Sequence, residues 1–262
     1  MPASTPPSAS SHKGEAWQIL KGPSLGTGTA PLSALRKSLK VTLPGAGKFA
    51  AEGFATRETA DGPTVSVIIR LTNMDRVEHC AVDSDSDKTV WADSAGAPIA
   101  VRPTYSGLFG VRDVCIQPSD SGYLSFVSDA AVGSSMMLFD QLAGLDLTLT
   151  EMSRADAEKA AKENGRGTAT LAAKEYGVTS DHKFSITYAN TAAAPVSVNR
   201  SYGGLTFIML DESNQPLGTS EFDSDEATVP VGGTVTMTGR DNFDYYEGQS
   251  QRVLAFDIWS FK

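Results

Sequence analysis

Val65-Ser-Val-Ile-Ile-Arg-Leu-Thr-Asn73 and Phe184-Ser-Ile-Thr-Tyr-Ala-Asn190-Thr191 share one pattern, apolar or β-branched residues at alternate positions closed by an Asn beside a Thr. Alternation with period two sends successive side chains to opposite faces of a strand. The β-branched content suits a pleated, half-buried surface. One such run predicts a strand; two, closed the same way, raise the question of a repeat.

Working outward, the likeness extends. Thr89-Val-Trp-Ala-Asp93-Ser-Ala-Gly96-Ala-Pro98-Ile99 matches Leu205-Thr-Phe-Ile-Met-Leu-Asp211-Glu-Ser-Asn214-Gln-Pro216-Leu217. The step from Asn73 to Asp93 is 20 residues and that from Asn190 to Asp211 is 21. Upstream, Lys48-Phe-Ala-Ala-Glu52 parallels Thr170-Leu-Ala-Ala-Lys174. Downstream, Gly122-Tyr-Leu-Ser-Phe-Val127 parallels Gly233-Thr-Val-Thr-Met-Thr238. The segments close with Leu145-Asp-Leu-Thr-Leu-Thr150 and Val253-Leu-Ala-Phe-Asp-Ile-Trp259. Ordered matches of this kind predict one unit written twice. Each Asp-x-x-Gly/Asn-x-Pro segment reads as a hairpin turn: Asp caps it, Gly96 or Asn214 accepts positive φ, and Pro opens the return strand. Several short strands per copy with no long helix between them is the β-sandwich pattern. Trp91 and Trp259 fall on these strands and are expected in the core.

The order of strand, Leu-Thr-Asn73 or Ala-Asn190-Thr191, polar turn, Ala194-Pro195-Val196-Ser-Val198, Leu-Asp211-x-x-x-x-Pro216-Leu217 and Val229-Pro-Val-Gly-Gly-Thr-Val235 resembles bacterial extracytoplasmic immunoglobulin-like domains of the FxLYD and BsuPI proteinase-inhibitor layout. The second copy carries the pattern over roughly 168–262; the first departs from it, with Cys and acidic residues where Pro-Val is expected. The resemblance implies a fold rather than an activity. The expected architecture is all-β, two tandem immunoglobulin-like β-sandwich domains joined by a short helical linker. Residues 1–36 form a flexible Ser/Pro/Gly-rich basic arm, 37–152 the first domain, 153–167 the linker helix and 168–262 the second domain. Ser153 is the N-cap of that helix, with Asp156 in its first turn and Gly165 and Gly167 beyond its end. The segment Pro31–Leu39 is expected to form a further short helix.

Charge narrows the partners. The chain of 262 residues carries a net −9, yet residues 1–50 carry +5, so the remainder carries −14. An acidic body excludes nucleic acid as the main partner. The basic arm allows proximity to an anionic membrane surface. No apolar run approaches the ~18 residues of a membrane span. The Ser/Pro/Ala-rich opening resembles the spacer behind a removed export signal or lipid anchor, which points to a periplasmic or secreted protein; a cytoplasmic one is the alternative.

Three groups of residues are candidates for chemistry or contact. Cys80 and Cys115, an even pair in a β-domain of an exported protein, are expected to form a disulfide, with two buried thiols as the alternative. Asp83, Asp85 and Asp87 alternate with serines, so three carboxylates of an extended run face one side and form a candidate Ca²⁺ site; a solvated, charge-blunted edge or loop that prevents strand-to-strand aggregation is the favoured alternative. Phe243, Tyr245 and Tyr246 lie in an inter-strand loop of the second copy, where sandwiches display binding residues; capping of the open end of the sandwich is the competing role. The stretch Ser128–Asp140 is the counterpart of that loop in the first copy. Pro44-Gly-Ala-Gly-Lys48 and Gly22-Pro-Ser-Leu-Gly-Thr-Gly28 lack the spacing of a phosphate-binding loop, and no HExxH occurs. Only His12, His79 and His182 are available to a triad. The expected function is therefore non-catalytic, with no cofactor assigned. It is that of an exported binding or assembly protein of a bacterial cell envelope or secreted complex, whose partner is another protein or an envelope component. A protease-inhibitor-like module and a carboxylate-based glycan hydrolase are the alternatives.

Overall fold

A computed structural model describes residues 19–21, 36–43, 47–57, 64–84, 88–101, 104–105, 115–129, 134–163, 169–180, 183–198, 206–211, 213, 215–223, 227–242, 252–255 and 258–259. These residues are mostly β-strand. The N-terminal part holds β1 (Ile19–Lys21), β2 (Arg36–Thr42), β3 (Phe49–Arg57), β4 (Thr64–Asn73), β5 (His79–Ser84), β6 (Val90–Ala92), β7 (Thr104–Tyr105), β8 (Cys115–Ile116), β9 (Ser121–Asp129), helix α1 (Ser134–Gln141), β10 (Gly144–Asp146) and β11 (Leu149–Met152). Helix α2 (Arg154–Glu163) follows. The C-terminal part holds β12 (Ala169–Val178), β13 (Lys183–Asn190), β14 (Val196–Val198), β15 (Thr206–Leu210), β16 (Pro216–Asp223), β17 (Ala227–Val229), β18 (Thr234–Asn242), β19 (Arg252–Ala255) and β20 (Ile258–Trp259).

The strands form a sheet ordered β6-β10-β2-β3-β4-β9-β7, a second ordered β1-β19-β15-β16-β18-β13-β12-β20, and two small sheets, β11-β5-β8 and β14-β17. Behind these orders lies one recurring set of antiparallel pairings. β3 pairs β4 as β12 pairs β13, and β4 pairs β9 as β13 pairs β18. β5 pairs β8 as β14 pairs β17, and β6 pairs β10 as β15 pairs β19. Even the short contacts recur: Ala92 bridges Pro98 as Leu210 meets Pro216, and Tyr105 meets Phe126 as Phe222 meets Gly239.

Two side chains per half fix this pattern. Asn73 donates from Nδ2 to the Val77 and Ile116 carbonyls and accepts the Asp75 amide on Oδ1; Asn190 donates to Ala194 and Val229 and accepts Ala192. Both are buried, so their hydrogen bonds replace water. Asp93 Oδ1 accepts the Ala95 and Ala97 amides, and Asp211 Oδ1 those of Ser213 and Gln215. Gly96 takes the positive φ (80°) expected of it; Asn214 lies outside the described residues. The turns before β9 and β18 share another left-handed position, Ser119 at φ 66° and Gly232 at φ 68°. Register also corrects one sequence match. Ser121 pairs with Thr72 and Thr234 with Ala189, so Leu124 is the equivalent of Met237 rather than of Val235. Face parity survives a shift of two, which is why alternation alone did not reveal it.

Each half has its own core. Val65, Val67, Ile69 and Leu71 of β4 pack with Trp91, Leu124, Phe126 and Leu145; Phe184, Ile186 and Tyr188 of β13 pack with Phe207, Met209, Met237 and Val253. The other face of β13 is only half-buried, whereas Ile68 on the other face of β4 is fully buried. It joins Tyr123, Ile208, Leu210 and Leu254 in a cluster that unites the two halves. Beside it Arg36 donates to Asp211 at 2.6 Å, so Asp211 holds its own turn with one oxygen and the other half with the second.

Two local expectations change. The helix expected over 31–39 is not formed where it is described: Arg36–Thr42 is strand β2, pairing with β3 on one side and β10 on the other. Two ladders and burial of Leu39 override a weak local helical pattern. Conversely, part of the expected inter-strand loop at Ser128–Asp140 is helix α1, because Leu138 and Phe139 reach the first core.

Candidate binding surface

The turn from Asn73 to Glu78 connects β4 to β5 and exposes Met74 and Val77, at 66% and 58% of their surface. Exposed apolar residues are ordinary when scattered. These two sit on one turn that is held at every corner. The Met74 amide donates to the Lys48 carbonyl, the Ser119 amide to Asn73 O, and the Asn73 side chain spans the turn to Val77 O. Asp75 Oδ1 accepts the Arg76 amide, which, with the His79 contact, holds its carboxyl below the ordinary range.

Behind the turn, His79 is buried edge-on against Phe49. Its Nε2 lies 3.1 Å from Asp75, and its Nδ1 lies 3.7 Å from Glu151, which Lys48 engages at 2.7 Å. On the opposite face of β5, Cys80 is bonded to Cys115, its direct cross-strand partner on β8, as the sequence predicts. Met152 of β11 is the next residue on the same rung, and Ala157 of α2 closes over the sulfurs. The start of α2 is fixed as expected: Ser153 Oγ accepts the Asp156 amide and donates to its carboxylate. Arg154 then forks onto Glu78 with bonds of 2.8 and 2.5 Å, and Gln117 adds a third at 2.7 Å. The Arg154 bond chiefly holds the Glu78 carboxyl at about 2.

Glu78, Cys80 and Cys115 place three potential metal ligands within 4.8 Å of one another. The sulfurs are bonded to each other and Glu78 is committed to Arg154 and Gln117, so the arrangement is a brace and not a metal centre. The second half shows what the brace replaces. Ser197 and Thr228 occupy the rung of Cys80 and Cys115, with hydroxyls 3.4 Å apart, and both are exposed. Its turn carries Thr191 and Ala194 where the first half has Met74 and Val77.

Of the other candidates, Asp83 lies in β5, its backbone opposite Thr150. Asp85, Asp87, Phe243, Tyr245 and Tyr246 lie outside the described residues. Trp91 is fully buried in the first core. Sequence reading passed over Met74 and Val77, although the signal was present: aligning the two Asn turns sets two large apolar side chains against Thr and Ala.

No family model and no curated protein matches the chain. Among solved structures it is similar to the secreted serine protease VesC from Vibrio cholerae, at 8% identity and a TM-score of 0.19. That match covers 74% of this chain and 46% of VesC, so the chain spans about half of that protein's length. Likeness at this level carries no argument about function. No helix among the described residues is long and apolar enough to cross a membrane.

Proposed function

We propose that the chain is a non-catalytic, exported binding or assembly protein built from two tandem immunoglobulin-like β-sandwich units, and that the Asn73–Glu78 turn is a contact surface for another protein. The matched pairings, Asn turns and Asp turns support the duplicated unit. The bonded cysteines support export, since disulfides persist in oxidising compartments.

The observation that carries the contact surface is the pairing of exposure with rigidity at Met74 and Val77. A preformed apolar pair loses little entropy on binding, and Met is enriched at protein interfaces. Asp75, Arg76, Lys48 and Glu151 give it a rim of mixed charge, which discriminates among partners more than it adds affinity. The Phe243–Tyr246 loop is a second surface in this reading, on chemical grounds alone.

Replacing Met74 and Val77 together by Ser is the test. Capture of the native partner from the producing cell's envelope is expected to fall by about tenfold or more, with the melting temperature unchanged. Undiminished capture by a folded double variant removes the turn from the account.

A further inference from the structure

The outer edge of the strand that β10 and β19 supply in the two halves is filled differently in each. In the first half β2 occupies it, antiparallel to β3 and parallel to β10. The equivalents in the second half are β12 and β19. The described segment before β12 is helix α2, and the edge of β12 is paired instead by β20, Ala169 with Trp259 and Leu171 with Ile258, which leaves the edge of β19 to another strand. That edge of β19 is taken by β1, from the N-terminal arm. Ile19, Leu20 and Lys21 pair antiparallel with Leu254, Val253 and Arg252, and β1 runs close to β12.

We propose that this edge of β19 is a strand-exchange site, in which the Ile19–Lys21 segment of a second copy of the chain pairs with β19 in place of the chain's own. The occupant follows from the register: a second copy supplies the same residues, so exchange preserves every backbone hydrogen bond. The barrier is low because three residues contribute few bonds. The segment 22–35 between β1 and β2 spans at most ~50 Å, enough to reach a neighbouring molecule. Reciprocal donation closes a symmetric dimer. In cis the arm has an effective concentration in the millimolar range, so exchange gains ground where the protein is concentrated. The site is separate from the Met74–Val77 surface, and either stands without the other.

The test uses the full chain with Leu20→Cys and Val253→Cys, which are direct cross-strand partners. Oxidation after dilute refolding is expected to give an internal cross-link. After refolding at about a hundredfold higher concentration, disulfide-linked dimers are expected, and heterodimers when two tagged versions are mixed. Internal cross-links at every concentration overturn the proposal, as do dimers that form equally with either cysteine alone. Light scattering after refolding at the higher concentration, on the unmodified chain and on Ile19→Pro with Leu20→Pro, gives an independent readout, because proline cannot donate to the ladder. Dimers are expected of the first and lost in the second; dimers that persist in the proline variant overturn strand exchange.

Discussion

Cys80→Ser with Cys115→Thr would give the first half the side chains that the second half carries on the same rung, Ser197 and Thr228. The second half shows that such a rung forms without a cross-link, so the variant is expected to fold, and the question is how much stability it loses. The cysteines are 35 residues apart. In the chain-entropy model, releasing a loop of that length frees the unfolded state by about 4 kcal/mol. Burial adds a further loss. Cys80 and Cys115 are 5% and 3% exposed under Ala157 and Met152, whereas Ser197 and Thr228 face solvent. Each hydroxyl left without a good partner there costs ~1 kcal/mol or more. Cys80→Ala with Cys115→Val separates the two effects, since it removes the cross-link and buries no hydroxyl. Urea unfolding should show a loss of about 4 kcal/mol for the Ala/Val variant and about 5–6 for the Ser/Thr variant. Calorimetry should place the first half's transition about 16 °C lower for Ala/Val. A loss under ~1 kcal/mol in both would refute the assignment of the bond as the main brace of β5, β8 and α2.

Other perturbations test the remaining parts. Asp93→Ala is expected to cost ~1–2 kcal/mol by freeing the Ala95 and Ala97 amides, and Asp211→Ala more, because it also strands the half-buried Arg36; a thermal melt of Asp93→Ala reads the first, and melts of Asp211→Ala, Arg36→Met and the two together read the coupling. Glu78 titrates in the folded protein at about 2 against an ordinary 4.5, so its contribution is complete above its unfolded value and is lost as pH falls from there towards 2. Glu78 and Arg154 are about one-third exposed, so a discounted ~1 kcal/mol is expected, and Glu78→Gln should flatten the pH dependence of unfolding in that window. Ser119→Gly should stabilise by about 0.5 kcal/mol, because Ser119 holds the left-handed conformation that its equivalent Gly232 adopts freely; a lowered melting temperature would contradict this.

What was legible in the sequence was whatever is local or repeated. Alternation in 65–73 and 184–190 marked β4 and β13, and the matched Asn and Asp turns marked the recurring pairings, because each turn closes within a few residues of the side chain that holds it. Ser153 announced α2 through its cap, and two cysteines left one disulfide to form. Features decided at a distance were not legible. β2 is a strand because β3 and β10 flank it, and α1 is a helix where Leu138 and Phe139 meet the core. β1 pairs with residues more than 200 positions away, which no local pattern encodes. Ile68 was an outward-facing residue of a strand until the second half covered it. The Asn73–Glu78 turn stood between: Met74 and Val77 are visible in the sequence, but the turn that holds them exposed is fixed by Asn73, Lys48 and Ser119 across three separate segments.

The two Asn turns supply an internal control for the central claim, because Met74 and Thr191 occupy the same place in the two halves and both are exposed. A photo-reactive amino acid at position 74, irradiated in the native envelope or secreted fraction, is expected to cross-link one protein in high yield. The same group at position 191 is expected to give none of that product. A product at 74 alone supports a first half that makes the contact and a second that does not. Absence of any product at 74, or the same product from both positions, would contradict the account.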